Sequence, residues 1–384
     1  TPIGFVATNS ITQGEQVEQL WPALFDKYNI SIIFGVRQFE WDSEARGKAS
    51  VAVVILGMAK SYNGTKQLYS HLEDGQLVGN SFENINPYLV PTGKIRKIVR
   101  SEPNPLHKHS EMGWGMQPID DGNYIFSEDE KNDFLVEEPD ARSLFRPFLG
   151  AREIINQKSR HILYFKNVEP KKIKKLPHVM ERIKAVKEFR SKSKREDTRK
   201  LANTPTEVAF GEAPDTPFLV MPNHSASRRL YIPILYFEPP TIVSNACSVI
   251  PNASVELFGL LTSRMHMVWN SILCGRIRRD FRYSAGMVYN TFPSPKGELT
   301  SLKKYAQNIL DVRKEFLEKG NTLDELYDPE LMPPELVRAH NALDIRVEKL
   351  YRKDPFESDI ERVEYLFEMY KVLQSNPLSG LANL

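Results

Sequence analysis

Cations and amides, rather than nucleophiles or metal ligands, are the chemically equipped residues of this 384-residue chain. Residues 171–200 hold thirteen Lys/Arg against four Asp/Glu, a local charge of +9 that the overall charge of +2 conceals. Lys171, Lys172, Lys174, Lys175, Arg190, Lys192, Lys194 and Arg195 belong to this run. Arg276, Arg278, Arg279 and Arg282 form a second cluster, and Arg228 and Arg229 a third. A lysine is a mobile point charge that suits a phosphate, whereas guanidinium and amide groups present fixed forks that match base edges. One basic run alone is commonly a solvated helix face. Three along one region are the electrostatic footprint of a polyanionic partner. Asn223, Ser225 and Ser227 share a polar loop with Arg228 and Arg229, and Asn245 interrupts a later strand. These residues are the candidates for reading bases, and the lysines for holding phosphates.

Other constellations carry less. Cys247 and Cys274 cannot build a disulfide framework or a four-cysteine zinc site, so a cytosolic setting is the default expectation. His107, His109 and Glu111 alternate along the chain but lack a third convergent ligand, and His266 sits between two methionines as a packed helix residue would. No nucleophile elbow is present. No apolar run approaches the roughly 18 residues that span a bilayer.

The elements that must position these groups follow from hydrophobic periodicity. Residues 5–10 read as a buried strand, and 14–29 as a helix with Val17, Leu20, Trp21, Leu24 and Phe25 on one face. Residues 30–41 and 49–58 are two further strands rich in β-branched side chains. This strand–helix–strand–strand run is the second half of a doubly wound α/β domain with nothing before it to complete a sheet. The chain is therefore expected to be a piece of a larger protein, with its first strand paired to a neighbour or frayed. Turn signals at Asn63-Gly64, Asp74-Gly75 and Thr92-Gly93 mark a connector. Residues 169–201 form a long basic amphipathic helical region, and 217–250 contain three strands. Helices are expected over 256–274, 299–318, 335–351 and from Ser358 or Asp359 to about Leu373, with a frayed terminus after Asn376.

The order of these blocks resembles the C-terminal half of MmeI-like single-chain DNA adenine methyltransferases of the restriction–modification type. FVATNSITQGEQ, RQFEW and GKASVAVVILG resemble the closing strands of the methyltransferase domain. INPYL resembles the junction into a target-recognition domain. FRPFLGAREIIN and FRSKSKREDTRKLANTP resemble that domain's interior. IPNASVELFGLLTSRMHMVW, RYSAGMVYNTFPSP and LYDPELMPPELVRAHNALD resemble its end and a helical tail. The fold class implied is an α/β fragment, the second half of a Rossmann-like methyltransferase sheet, over residues 1–60. A mixed α+β target-recognition domain over 61–298 and an α-helical tail over 299–384 follow it.

The resemblance implies methyl transfer from S-adenosylmethionine to adenine in double-stranded DNA, with the base extruded from the stack. The cofactor motif and the Asn/Asp-Pro-Pro-aromatic loop are not in this sequence, so the expectation is a chain that is inactive alone and binds no cofactor. They would precede Thr1, where a methyltransferase region, with or without a nuclease, is expected. The resemblance also assigns an aromatic residue at the last strand pair to the flipped base, and Phe39 and Trp41 are the candidates. The alternatives are a stand-alone, non-catalytic nucleic-acid-binding module, and an interaction protein whose basic helix meets an acidic partner.

Overall fold

The structure, a computed structural model, describes residues 1–41, 51–72, 75–92, 98–156 and 159–375. The expected loop over 42–48, the turn positions Asp74 and Gly93, and the chain after Asn376 lie outside the described residues.

The chain opens with β1 (Ile3–Thr8), α1 (Gly14–Pro22), β2 (Ile30–Trp41) and β3 (Val51–Lys60). Helix α1 buries Val17 and Trp21, and the Trp21 indole donates to the Ile11 carbonyl at 2.6 Å. β3 lies between β1 and β2, antiparallel to both, so β1 and β2 run the same way. β1 is an edge strand rather than a buried one. Ile3 is 61% and Val6 48% exposed, because β1 has a strand neighbour on one side only among the described residues. The sheet also continues past residue 60. β4 (Lys66–His71) pairs in parallel with β2, and β5 (Leu77–Phe82) closes the order β1-β3-β2-β4-β5.

The middle of the chain folds around two sheets. The first strands here are β6 (Gly113–Trp114) and β7 (Ile125–Ser127). Helix α2 (Glu128–Glu137) follows, started by a capping box between Ser127 and Glu130. Next come β8 (Phe145–Leu149), β9 (Arg160–Leu163) and α3 (Pro177–Ser191). The basic region 169–201 is thus not one helix. Pro177 starts α3, and residues 192–195 separate it from a short helix at Glu196–Lys200. The following strands are β10 (Phe218–Pro222), β11 (His224–Ser225), β12 (Leu235–Phe237), β13 (Ile242–Val243) and β14 (Cys247–Ile250). They complete sheets ordered β13-β8-β9-β7 and β12-β10-β14-β6. The first sheet and α3 enclose their own core, which includes Phe126, Phe145, Ile162, Val179 and Val186.

Helices α4 (Val255–Leu261) and α5 (Arg264–Leu273) lead into a hairpin of β15 (Gly275–Ile277) and β16 (Asp280–Arg282). The tail is α6 (Lys303–Glu318), α7 (Leu323–Leu326), α8 (Pro334–Tyr351) and α9 (Asp359–Ser375). Proline occupies the first position of α8, and the Ser358 hydroxyl accepts from the Glu361 amide at the start of α9. The tail packs on the middle of the chain through Leu343, Leu366 and Phe367, with Phe367 edge-on to the buried Trp269 at 5.4 Å. Burying each such side chain contributes about 1.5–3 kcal/mol. No helix among the described residues is long and apolar enough to cross a membrane.

Candidate nucleic-acid interface

The carboxyl ends of β1 and β2 lie at the same end of the first sheet, the end at which open α/β sheets receive ligands. The Gln38 carboxamide oxygen accepts from Asn9 at 2.9 Å and Gln13 at 3.2 Å, which fastens the turn after β1 to β2. Across from this turn stands the β15–β16 hairpin. A cavity of about 560 Å³ opens between them, lined on one side by Ser10, Gln13 and Gln16 and on the other by Trp114, Arg282 and Ser284. The two walls meet in backbone contact at one corner. Gly14 has φ +55°, and a Cβ placed on it would lie 3.4 Å from the Gly275 Cα.

Just before the end of β2 the pairing with β3 slips by one residue between Val36 and Phe39. Such a bulge bends the strand and re-aims the side chains beyond it. Phe39 and Trp41 then share one face, with ring centroids 6.4 Å apart, and His71 of β4 lies 5.0 Å from Phe39. Trp41 is 49% exposed, while Glu40, between them in sequence, pairs with Arg279 of the hairpin.

β11 joins the hairpin to make a three-stranded sheet. His224, Arg282 and Gly275 are opposite one another, with Asp280 and Ile277 next along the same face. His224, Asp280, Ile277 and Arg282 are all exposed. The other face is packed. Ser225 and Phe281 are buried, and the Arg276 guanidinium lies 4.5 Å over the Phe281 ring while donating to the Arg279 and Ser271 carbonyls. Burial lowers the Arg276 pKa, outweighing the opposing pull of Cys274 and Asp280. Arg278 sits at the hairpin turn with φ +57° and is exposed.

Asn223 is buried. Its amide donates to the Asn245 carbonyl at 3.2 Å and its oxygen accepts from the Ser248 hydroxyl at 2.8 Å. Asn245 is exposed and Ser227 half-buried. Arg228 pairs with Asp328, and Arg229 with Asp324 and the Ser225 hydroxyl, so both tie this loop to the helical tail.

On the basic run, Lys171, Lys172, Lys174, Lys175, Lys192, Lys194 and Arg195 are exposed. Lys192 is held by Glu188 at 2.6 Å. Arg190 corrects the sequence reading. It is fully buried on α3 and donates to five backbone carbonyls, those of Pro118, Ile119, Leu201, Thr204 and Glu207. A guanidinium so engaged cannot reach a phosphate; it ties together the carbonyls of two chain segments in a low-dielectric interior.

Comparison with known proteins decides the family. The MmeI target-recognition domain matches residues 94–296, the MmeI methyltransferase domain residues 1–70, and the MmeI C-terminal domain residues 295–377. The chain belongs to the MmeI family. It is 38% identical over 369 residues to DNA methyltransferase A of Bacillus subtilis (strain 168), covering 96% of this chain and 41% of that protein. It superposes with TM-score 0.86 and 39% identity on the type IIL restriction–modification enzyme MmeI in complex with DNA, covering 97% of this chain and 50% of that one. The chain thus spans about half the length, or less, of these relatives.

Within this MmeI-family fold, sequence reasoning singled out neither Trp114 nor Asp280, while His224 lay in the polar loop at 223–229. Alternation along β16 could have found Asp280, because it lies two residues from Arg282 on one strand face. His107, His109 and His266 are held within the fold. His107 Nε2 meets the Tyr289 carbonyl at 2.9 Å, and His109 Nε2 the Ser294 hydroxyl at 3.1 Å. Burial pulls their pKa values down to about 3 and about 4. His266 is buried against the Tyr283 hydroxyl. Among the described residues no cluster of His, Cys, Asp and Glu could hold a metal ion.

Proposed function

We propose that this chain is the recognition and helical portion of an adenine-specific DNA methyltransferase, and that duplex DNA enters the cleft between the first sheet and the β15–β16 hairpin. The observation that carries the reading is the pair of facing walls. One carries Ser10, Gln13 and Gln16 at the turn after β1, beside the strand end that bears Phe39 and Trp41, and the other carries Trp114, Arg282 and Ser284. Likeness to an MmeI structure solved in complex with DNA supports DNA as the ligand.

In this reading Arg282, Arg278, Asn245 and Ser227 lie near base edges, where a guanidinium suits guanine and an amide suits adenine. Lys171, Lys172, Lys174, Lys175, Lys194 and Arg195 neutralise phosphates outside the cleft. Phe39, with Trp41 beside it, packs on the extruded adenine, worth roughly 1–3 kcal/mol per stacked base. The parent protein's S-adenosylmethionine supplies the methyl group. The described turn from β1 into α1 carries Asn9, Ser10 and Gly14 without the glycine run that would cradle that cofactor.

A binding titration tests the proposal. The chain should bind a duplex pool, with affinity falling steeply as salt rises, and enrich particular sequences from it. No preference for any duplex over a random acidic polymer would overturn it.

A further inference from the structure

A base pair in an intact duplex offers only its edges to the grooves, so a flat indole gains full stacking only where the stack has been opened. Trp114 is placed and braced for such an opening. At 70% exposed it is the most open of the large aromatic side chains in the described structure. Its backbone, however, is fixed. Gly113 and Trp114 pair with Val249 and Ser248 of β14. The Gly115 amide donates to the Cys247 carbonyl at 3.0 Å, and the Met116 amide to the Val243 carbonyl at 2.7 Å. A Cβ on Gly115 would lie 2.2 Å from the Ser244 carbonyl oxygen, so only glycine lets the chain run this close to its neighbour. Met116 is wholly buried and anchors the segment. An exposed indole on an immobile backbone is a rigid wedge.

Its surroundings say what it meets. Trp114 is opposite Ser248 and shares its sheet face, and the Ser248 hydroxyl holds Asn223. It lines the cavity of about 560 Å³ with Arg282 and Ser284, across from Gln13 and Gln16 of the turn after β1. Trp114 therefore borders a cleft whose wall also carries the Arg282 cation, a combination that suits a base flanked by phosphates.

Resting on the proposed function, we infer that Trp114 is an intercalating wedge. Its indole stacks on the face of the base pair exposed when a nucleotide leaves the duplex, and holds the gap open. Apolar wedges that enter opened base steps act in this way in other DNA-bending proteins.

Two short random-sequence duplexes test this, one fully paired and one with a single abasic position that supplies a ready-made gap. The chain should prefer the gapped duplex by roughly fivefold or more, the lower end of the stacking range. W114A should lose that preference, read as the ratio of its affinities for the two duplexes. W114F should keep part of it. Because the side chain is exposed, the thermal transition of W114A should match that of the unaltered chain. Equal preference for the gapped duplex in W114A and the unaltered chain, or none in either, would overturn the wedge and leave the DNA-binding reading standing. Failure of the unaltered chain to bind either duplex would overturn the reading beneath it, and the wedge with it.

Discussion

Glu40 on β2 is ion-paired to Arg279 at the turn of the recognition hairpin, so the strand that carries Phe39 and Trp41 is bound to the element facing it across the cleft. The pair is solvent-accessible, with side-chain exposures of 38% and 57%, so its worth to global stability is small, about 0.2–1 kcal/mol. A double-mutant cycle of E40A and R279A, read by urea denaturation, should return a coupling in that range. The reversed pair E40R/R279E should recover most of it, and zero coupling would mean that the contact does not persist in solution.

Salt dependence should separate phosphate contacts from base contacts. If about six cations of the basic run engage phosphates, the slope of log affinity against log salt is roughly −5, at about 0.9 per phosphate. Replacing Lys171, Lys172, Lys174 and Lys175 with glutamine should flatten that slope by up to about 3.6 and weaken binding to every sequence alike. R282A should instead relax sequence preference with little change in slope. The measurement is a fluorescence titration at several salt concentrations, and an unchanged slope in the quadruple variant would remove these lysines from the interface.

Arg190 yields a stability prediction rather than a binding one. R190M keeps much of the volume but removes the guanidinium from five carbonyls, of which only those of Leu201 and Thr204 keep a backbone amide donor among the bonds described. The expected loss is roughly 2–5 kcal/mol in denaturant unfolding. A variant as stable as the parent chain but impaired in DNA binding would contradict the structural role.

Asp344 makes a distinct pH prediction. It accepts from the Tyr231 hydroxyl at 2.6 Å and from the Arg264 amide at 2.7 Å, and burial raises its pKa to about 6. In the unfolded chain the carboxyl titrates near 4. Between about pH 4 and 6 the folded state therefore binds more protons, and this residue's contribution to stability falls as pH rises through that window. Buried His107, His109 and His266 pull the other way, since their lowered pKa values cost stability as pH drops. The clean readout is the difference between the parent chain and D344N, with unfolding midpoints compared at pH 4.5 and 7. D344N should gain on the parent chain at the higher pH, and a pH-independent difference would refute the assignment.

The long-period elements were readable because their apolar residues recur strictly. On the helix face read from spacing, Val17, Trp21 and Phe25 are buried, whereas Leu20 is 40% exposed. The bounds of β2 match the β-branched run at Ile30–Trp41. What sequence could not separate was the purpose of like charges. Arg190 and Lys192 are two residues apart in one basic run, yet one is an internal donor hub and the other a surface cation. The distinction depends on residues 118–119 and 201–207 folding back over α3, a long-range event invisible to local composition. Trp114 escaped notice for the opposite reason. A two-residue edge strand has no periodicity to read, and its exposure follows from pairing with β14, more than a hundred residues away.

The close approach of Gly14 to Gly275 bears on how such proteins can diversify. Where the walls of the cleft touch, no side chain stands between them, and the left-handed backbone at Gly14 disfavours any other residue there. The gauge of the cleft at that corner is consequently a backbone thickness, independent of whichever side chains read the bases. In the proposed reading, new combinations at positions 224, 280 and 282 can be tried on an unchanged chassis, because Gly14 and Gly275 at the corner present no side chain to a base.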